Sequence, residues 1–234
     1  MRVSILGAGA IAYGLAAYLS EAGHDPMIWS PSGRRTEALA TGEPLKATGS
    51  IQATVPLRVA RNCRDAVVNA DVVVIALPAY GHRMVMDAAA PHLVCGTPVI
   101  ISSHSSFGAL YLSKRLAERK VSLPIVVWGT TLLTGRQSGP TEVHVASVRQ
   151  KLDVSTLPFS FQDRGHDLCT TLFGDRFVKR DGLLAIALSN LNPQNHLGIA
   201  LLNLTRMEKA EIWSQAGNVT PTVGRLIEAL DAER

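Results

Sequence analysis

The opening of the chain constrains its fold more than any later stretch. Val3-Ser4-Ile5-Leu6 is apolar and β-rich, Gly7-Ala8-Gly9-Ala10-Ile11-Ala12 follows at once, and an uncharged run with helical spacing continues to Ser20. A strand that turns on glycines into a helix fits G-x-G-x-x-(G/A). Gly7 permits the tight turn, Gly9 lets the backbone approach a diphosphate, and the small Ala12 lets helix and strand pack closely. The unpaired N–H groups and the positive dipole end of the helix then face the anion. The run is long enough to raise a signal peptide or a membrane helix, but Gly7, Gly9 and Gly14 interrupt it and its start is strand-like. A soluble, cytoplasmic protein with no membrane partner is the expectation.

The rest of the first half repeats this plan. Apolar runs at 27–29, 71–77, 98–102 and 125–128 alternate with helical spacing at 34–40, 83–90 and 109–120. Runs without polar alternation are what a parallel sheet covered on both faces requires, so a Rossmann-type, doubly wound α/β domain is predicted. After Gly139 the character changes. Segments 141–146 and 152–157 read as shorter strands, taken as a hairpin, and 163–173 reads as a helix. From Gly182 the pattern is helical and strongly apolar. The predicted organisation is a dinucleotide-binding domain over 1–180, then the start of an α-helical second domain over 181–234.

Composition closes off other classes. The 234 residues are 47% hydrophobic and 18% charged, which supports a packed core and excludes disorder. The 23 basic residues are scattered, with no basic stripe interleaved with aromatics, so nucleic acid is not an expected partner. Cys63, Cys95 and Cys169 are odd in number and widely spaced, and read as buried thiols in a reducing compartment. No metal site is predicted.

Cofactor choice turns on the end of the second strand. Trp29-Ser30-Pro31-Ser32-Gly33-Arg34-Arg35 offers no carboxylate for a ribose diol until Glu37. Ser30, Arg34 and Arg35 suit a 2′-phosphate, so NADP is expected, with NAD as the alternative. Leu77 and Pro78, at the carboxyl end of the 71–77 strand, are placed at the same crevice. His82 follows them; its loop position suggests a catalytic base, but it reads better as a solvated helix start.

The other informative stretch is Asn192-Pro193-Gln194-Asn195-His196. Asn192 reads as a helix cap and Pro193 as the first helical residue. Asn192, His196 and Asn203 share one face of an otherwise apolar helix. That stripe is either a satisfied structural network or the lining of an active site, and residue type leaves both open.

On these pieces the chain resembles the NAD(P)-dependent octopine/nopaline dehydrogenase (opine dehydrogenase) family. They are GAGAIA at the start, ADVVVIALPAYGHR at 70–83, FGALYLSKRL at 107–116, the 151–158 segment, SNLNPQNHLGIALLNLTRME at 189–208 and TPTVGRLIEALDAER at 220–234. The resemblance implies an oxidoreductase that reductively condenses a 2-oxo acid with the amine of an amino acid. It implies that His196 is catalytic, and that Thr130, His104 and Asn192 lie at the substrate. The chain departs from the family at Gly129, where an acidic residue is usual, and in Thr131-Leu132-Leu133. The family also pairs its histidine with an aspartate in the helical domain. This chain stops at Asp231-Ala232-Glu233-Arg234, so it reads as a C-terminally shortened member, and no residue is assigned as that partner. An apolar face left bare over 194–213 would favour a homodimer. Two alternatives stand beside this reading. One is a ketopantoate reductase-like or glycerol-3-phosphate dehydrogenase-like enzyme. The other is a dinucleotide-binding subunit without independent catalysis.

Overall fold

The structure, a computed structural model, describes residues 1–103 and 107–234. In chain order the elements are β1 (Arg2–Leu6), α1 (Ala10–Glu21), β2 (Asp25–Trp29), α2 (Glu37–Ala40), β3 (Leu45–Gly49), β4 (Ala53–Val55), β5 (Arg58–Val59), α3 (Cys63–Val68), β6 (Val72–Ile75) and α4 (His82–Ala89). They continue as β7 (Val99–Ile101), α5 (Gly108–Ala117), β8 (Ile125–Trp128), β9 (Leu133–Gly139), β10 (Glu142–Val148), β11 (Leu152–Leu157), α6 (Gln162–Phe173), β12 (Phe177–Lys179) and α7 (Gly182–Ser189). The last helices are α8 (Asn192–Leu202), α9 (Leu204–Glu208) and α10 (Pro221–Glu233).

The main sheet has eight strands in the order β12-β11-β8-β7-β6-β1-β2-β5. From β5 to β8 every pairing is parallel, and β11 joins β8 antiparallel. The apolar strands explain themselves by period two. In β6, Val72 and Val74 enter the core beneath α1 and α6, while Val73 and Ile75 enter the core beneath α3, α4 and α5. A strand buried on both faces has no place for a polar alternation, so the run is continuous. The doubly wound α/β expectation holds.

The expected hairpin of 141–146 with 152–157 does not form. β10 pairs antiparallel with β9 and parallel with β3, and β4 completes a separate four-stranded sheet, β4-β3-β10-β9. β11 instead borders β8 in the main sheet. The second sheet packs on α1, and Gly14 makes that approach close: a Cβ there would lie 2.7 Å from Leu133 Cδ1. Of the three cysteines, all free, Cys63 and Cys169 are buried as expected, but Cys95 is exposed.

The chain divides into two compact units, Met1–Ala187 and Leu188–Arg234. In the second, α8 and α10 pack closely enough that a Cβ on Gly198 would lie 2.7 Å from Ile227 Cγ1. The continuous helix expected over 194–213 breaks at Asn203, whose buried side chain donates back to the Ile199 carbonyl at 2.9 Å. Leu197, Leu201, Leu202, Leu204 and Met207 are exposed. Among the described residues, no helix is long and apolar enough to cross a membrane.

Candidate functional site

The carboxyl ends of β1, β2, β6 and β7 open into one cleft of about 740 Å³. Its floor is the glycine turn. Gly7 has φ +141°, and a Cβ there would sit 2.2 Å from the Ala76 carbonyl oxygen, so only glycine fits between β1 and the end of β6. Gly9 stands at the N-cap of α1 with no side-chain cap, and no acidic residue occupies the first turn. The positive end of the helix therefore faces the cleft uncompensated. Ala8, Ala10 and Ile11 line the cleft beside these glycines. Ala12 does not: it is fully buried in the core beneath the turn.

Past β2, the Ser30-Pro31-Ser32 turn and Arg35 form one wall. An Arg35 guanidinium nitrogen lies 3.9 Å from the position a Cβ on Gly9 would take, so the side chain reaches over the glycine turn. Its backbone is held from below. The buried Tyr13 hydroxyl donates to the Arg35 carbonyl, and it lies 3.2 Å from the Pro140 carbonyl in the second sheet's turn. Burial pushes the Tyr13 phenol above its ordinary value, and the Arg35 charge works against that shift. Arg34 belongs to the same 3₁₀ turn but is not part of the lining. Among the described residues, the lining holds one guanidinium and no carboxylate.

The opposite wall comes from β6 and β7. Leu77, Pro78, Ala79 and the 91%-exposed Tyr80 lie at the end of β6. His82 corrects the expectation of a solvated helix start. It is 7% exposed, and its Nε2 donates to the Leu77 carbonyl at 3.0 Å. Burial holds its imidazole below the ordinary value, partly offset by that hydrogen bond. Ser102, Ser103 and Thr131 complete this side. Thr130, the expected substrate residue, is one position from the lining, and His104 lies outside the described residues. The sequence reading gave Ser102 and Thr131 no place in the cleft, and it named His82 only as a solvated helix start. The signal that marks them is position alone, since each follows the carboxyl end of a core strand.

In the second unit, Pro193 lies in the first turn of α8, but the N-cap position is Leu191, without a side-chain cap, and Asn192 is already helical. The Asn190 Oδ1 accepts from the Asn192 N–H at 3.1 Å. His196 is exposed and has no hydrogen-bonding partner among the described residues, whereas Asn203 is satisfied within its own helix. The proposed polar stripe thus divides into one structural residue and two exposed ones. Asp231 accepts from Gln194 at 3.0 Å and pairs with Arg234 at 2.7 Å. Those bonds, Arg234 first, hold its carboxyl below the usual range. Among the described residues, no cluster fit to hold a metal ion is present.

A glycine turn at a helix N-terminus, under a cleft at the carboxyl ends of a parallel sheet, defines the class of doubly wound dinucleotide-binding folds. The chain belongs to the family described as ketopantoate reductase PanE/ApbA, whose model matches residues 3–158. Residues 179–234 match the alpha-helical domain of NAD/NADP octopine/nopaline dehydrogenase, so the likeness to opine dehydrogenases is borne out. A curated relative, an opine dehydrogenase of Arthrobacter sp. (strain 1C), is 28% identical over 237 residues, covering 99% of this chain and 65% of that protein. Among solved structures, octopine dehydrogenase with NADH and L-arginine gives a TM-score of 0.71 at 17% identity, over 87% of this chain and 53% of that one. A protein named as a putative ketopantoate reductase, from Ralstonia solanacearum MolK2, gives 0.67 at 19% identity, over 99% and 74%. Yersinopine dehydrogenase with NADP+ bound gives 0.66 at 19% identity, over 86% and 52%. The chain thus spans just under two thirds of that opine dehydrogenase and about half of octopine dehydrogenase.

Proposed function

We propose that this chain is the nucleotide-binding part, with the first helices of the second domain, of an NAD(P)H-dependent oxidoreductase of opine dehydrogenase type. In this reading a 2-oxo acid and the amine of an amino acid condense to an imine with loss of water. The imine carbon takes a hydride and its nitrogen a proton, while the cofactor is oxidised. Pyruvate is the first oxo acid to try, since octopine dehydrogenase has been solved with it.

The observation that carries the reading is the cleft, and its residues fit a dinucleotide. Gly9 presents bare backbone at the helix N-terminus where a side chain would fill the cradle, and among the described residues the lining is free of carboxylates. Gly7 to Ile11 would hold the diphosphate. Ser30 and Arg35 would take a 2′-phosphate, which favours NADP, and Arg35 is better placed for it than Arg34. Leu77 and Pro78 would flank the nicotinamide half, and the bound nicotinamide supplies the hydride. His196 is proposed to hold the proton at the oxo oxygen, with Thr130, His104 and Asn192 toward the substrate. Free thiols and the lack of a spanning helix among the described residues accord with a cytoplasmic setting.

The test mixes the full chain with NADPH or NADH, pyruvate and a panel of amino acids, and follows absorbance of the reduced cofactor. Amine-dependent oxidation is the expected result. Absence of turnover with every pair, in protein shown to bind cofactor, sinks the catalytic reading and leaves a binding subunit. Oxidation with the oxo acid alone would favour the ketopantoate reductase-like reading, which the match over 3–158 keeps in play. Arg35→Ala should weaken NADPH roughly tenfold or more and NADH little, since a hydrogen bond to a charged group is worth about 1.5–3 kcal/mol. His196→Ala with unchanged turnover would remove the proposed proton role.

A further inference from the structure

We infer that Ser102 is a ligand-contacting residue of the cleft, its hydroxyl bonding the carboxamide of a nicotinamide. The inference rests on the dinucleotide reading above. Ser102 follows β7, whose three residues are fully buried. Its backbone is committed to the sheet, with the N–H donating to the Ile75 carbonyl at 3.0 Å. Ser102 is only 5% exposed and lines the cleft, yet among the described residues its Oγ has no hydrogen-bond partner. Buried hydroxyls are ordinarily paired, and one left alone destabilises the fold unless something arrives to satisfy it. Among the described residues, Ser4, Thr156 and Thr170 also carry buried hydroxyls without a partner, but none of them lines this cleft.

Position says which ligand group arrives. The sheet order runs β2-β1-β6-β7, so β7 lies two strands from the glycine turn, on the side away from Arg35. At about 4.8 Å per strand that is roughly 10 Å, the half-span of an extended dinucleotide. A cofactor with its diphosphate on Gly7–Ile11 and its 2′-phosphate at Arg35 therefore brings its nicotinamide over β6 and β7. The carboxamide offers both a donor and an acceptor, and a hydroxyl can serve either. The next residue, Ser103, lines the same cleft with φ 122°, a conformation an L residue adopts only under constraint from its surroundings. Backbone strain of this kind collects at ligand sites, where a fixed side-chain direction matters.

The experiment measures calorimetric affinities of the full chain for NADPH and for 2′-phospho-ADP-ribose, which lacks the nicotinamide. Ser102→Ala should weaken NADPH roughly three- to tenfold, the range of a single neutral hydrogen bond, and leave 2′-phospho-ADP-ribose unchanged. Its melting temperature without ligand should be equal or higher, because an unsatisfied buried hydroxyl is gone. Ser4→Ala, which removes a comparable hydroxyl from β1, should change neither affinity. If NADPH affinity is untouched, or both ligands weaken alike, the inference fails while the dinucleotide reading stands. Untouched NADPH affinity with a raised KM for the oxo acid would move the contact to the substrate and also overturn it. If the parent chain binds neither nucleotide, both readings fail together.

Discussion

At the scale of single residues, the glycine turn and the histidine beside it show how differently two positions are specified. The need for glycine at position 7 is written in G-x-G-x-x-A, but what it must avoid is the Ala76 carbonyl, contributed by a strand far along the chain. Gly7→Ala should therefore cost about 3 kcal/mol, from the positive φ together with a backbone clash, and an unchanged urea midpoint would refute the packing argument. His82 carries no such mark in the sequence, where a helix start after Pro-Ala-Tyr-Gly suggests solvent. Burial depresses its pKa below the ordinary 6.5. As pH falls the unfolded chain then takes up the proton before the folded one does. Stability is lost from about pH 6.5 downward, and the loss is complete once pH passes below the folded-state value. His82→Gln keeps a donor for the Leu77 carbonyl and does not titrate, so its stability should depend less steeply on pH below about 6.5. His24 is shifted in the same direction but is present in both proteins, so the difference isolates His82. Parallel curves for the two proteins would show that His82 is not the titrating group.

At the scale of elements, the main sheet was legible and the second sheet was not. β6, β7 and β8 are continuous apolar runs because both faces are covered, and that burial shows in the residues themselves; β1 departs from the pattern only at its exposed first residue, Arg2, and at the buried Ser4. β9, with the sequence Leu-Thr-Gly-Arg-Gln-Ser-Gly, has one covered face and little apolar content to betray it. β10 and β11 were each visible as strands, but a strand pattern does not name its partner. The hairpin expectation failed because β10 pairs with β3, nearly a hundred residues earlier. α1 lies between these sheets, and its N-terminus is the floor of the cleft, so its packing on Leu133 bears on the site. Gly14→Val should overpack that contact and cost about 2 kcal/mol in chemical denaturation, with weaker nucleotide binding alongside. An unaltered denaturation midpoint would mean that the second sheet yields freely.

At the scale of the molecule, the chain is two compact units with unequal cores. The first is layered around the eight-stranded sheet. In the second, the buried apolar side chains among the described residues are Ile199 and Val223, with Gln194 and Asn203 buried beside them. Hydrogen exchange should accordingly show the amides of α8 and α10 opening at lower free energy than those of β1, β6 and β7. Equal protection in both units would contradict that contrast. The sequence alone determined the doubly wound plan, the glycine turn between β1 and α1 and the helical character past Gly182, because each rests on local periodicity, glycine stereochemistry or a covered strand's composition. Only the tertiary structure decided that Arg35 rather than Arg34 lines the cleft, that His82 and Ser102 are buried at its wall, and that β10 belongs to a second sheet. Those facts depend on which distant segments meet, and no local pattern of side chains encodes the partner a residue finds across the fold.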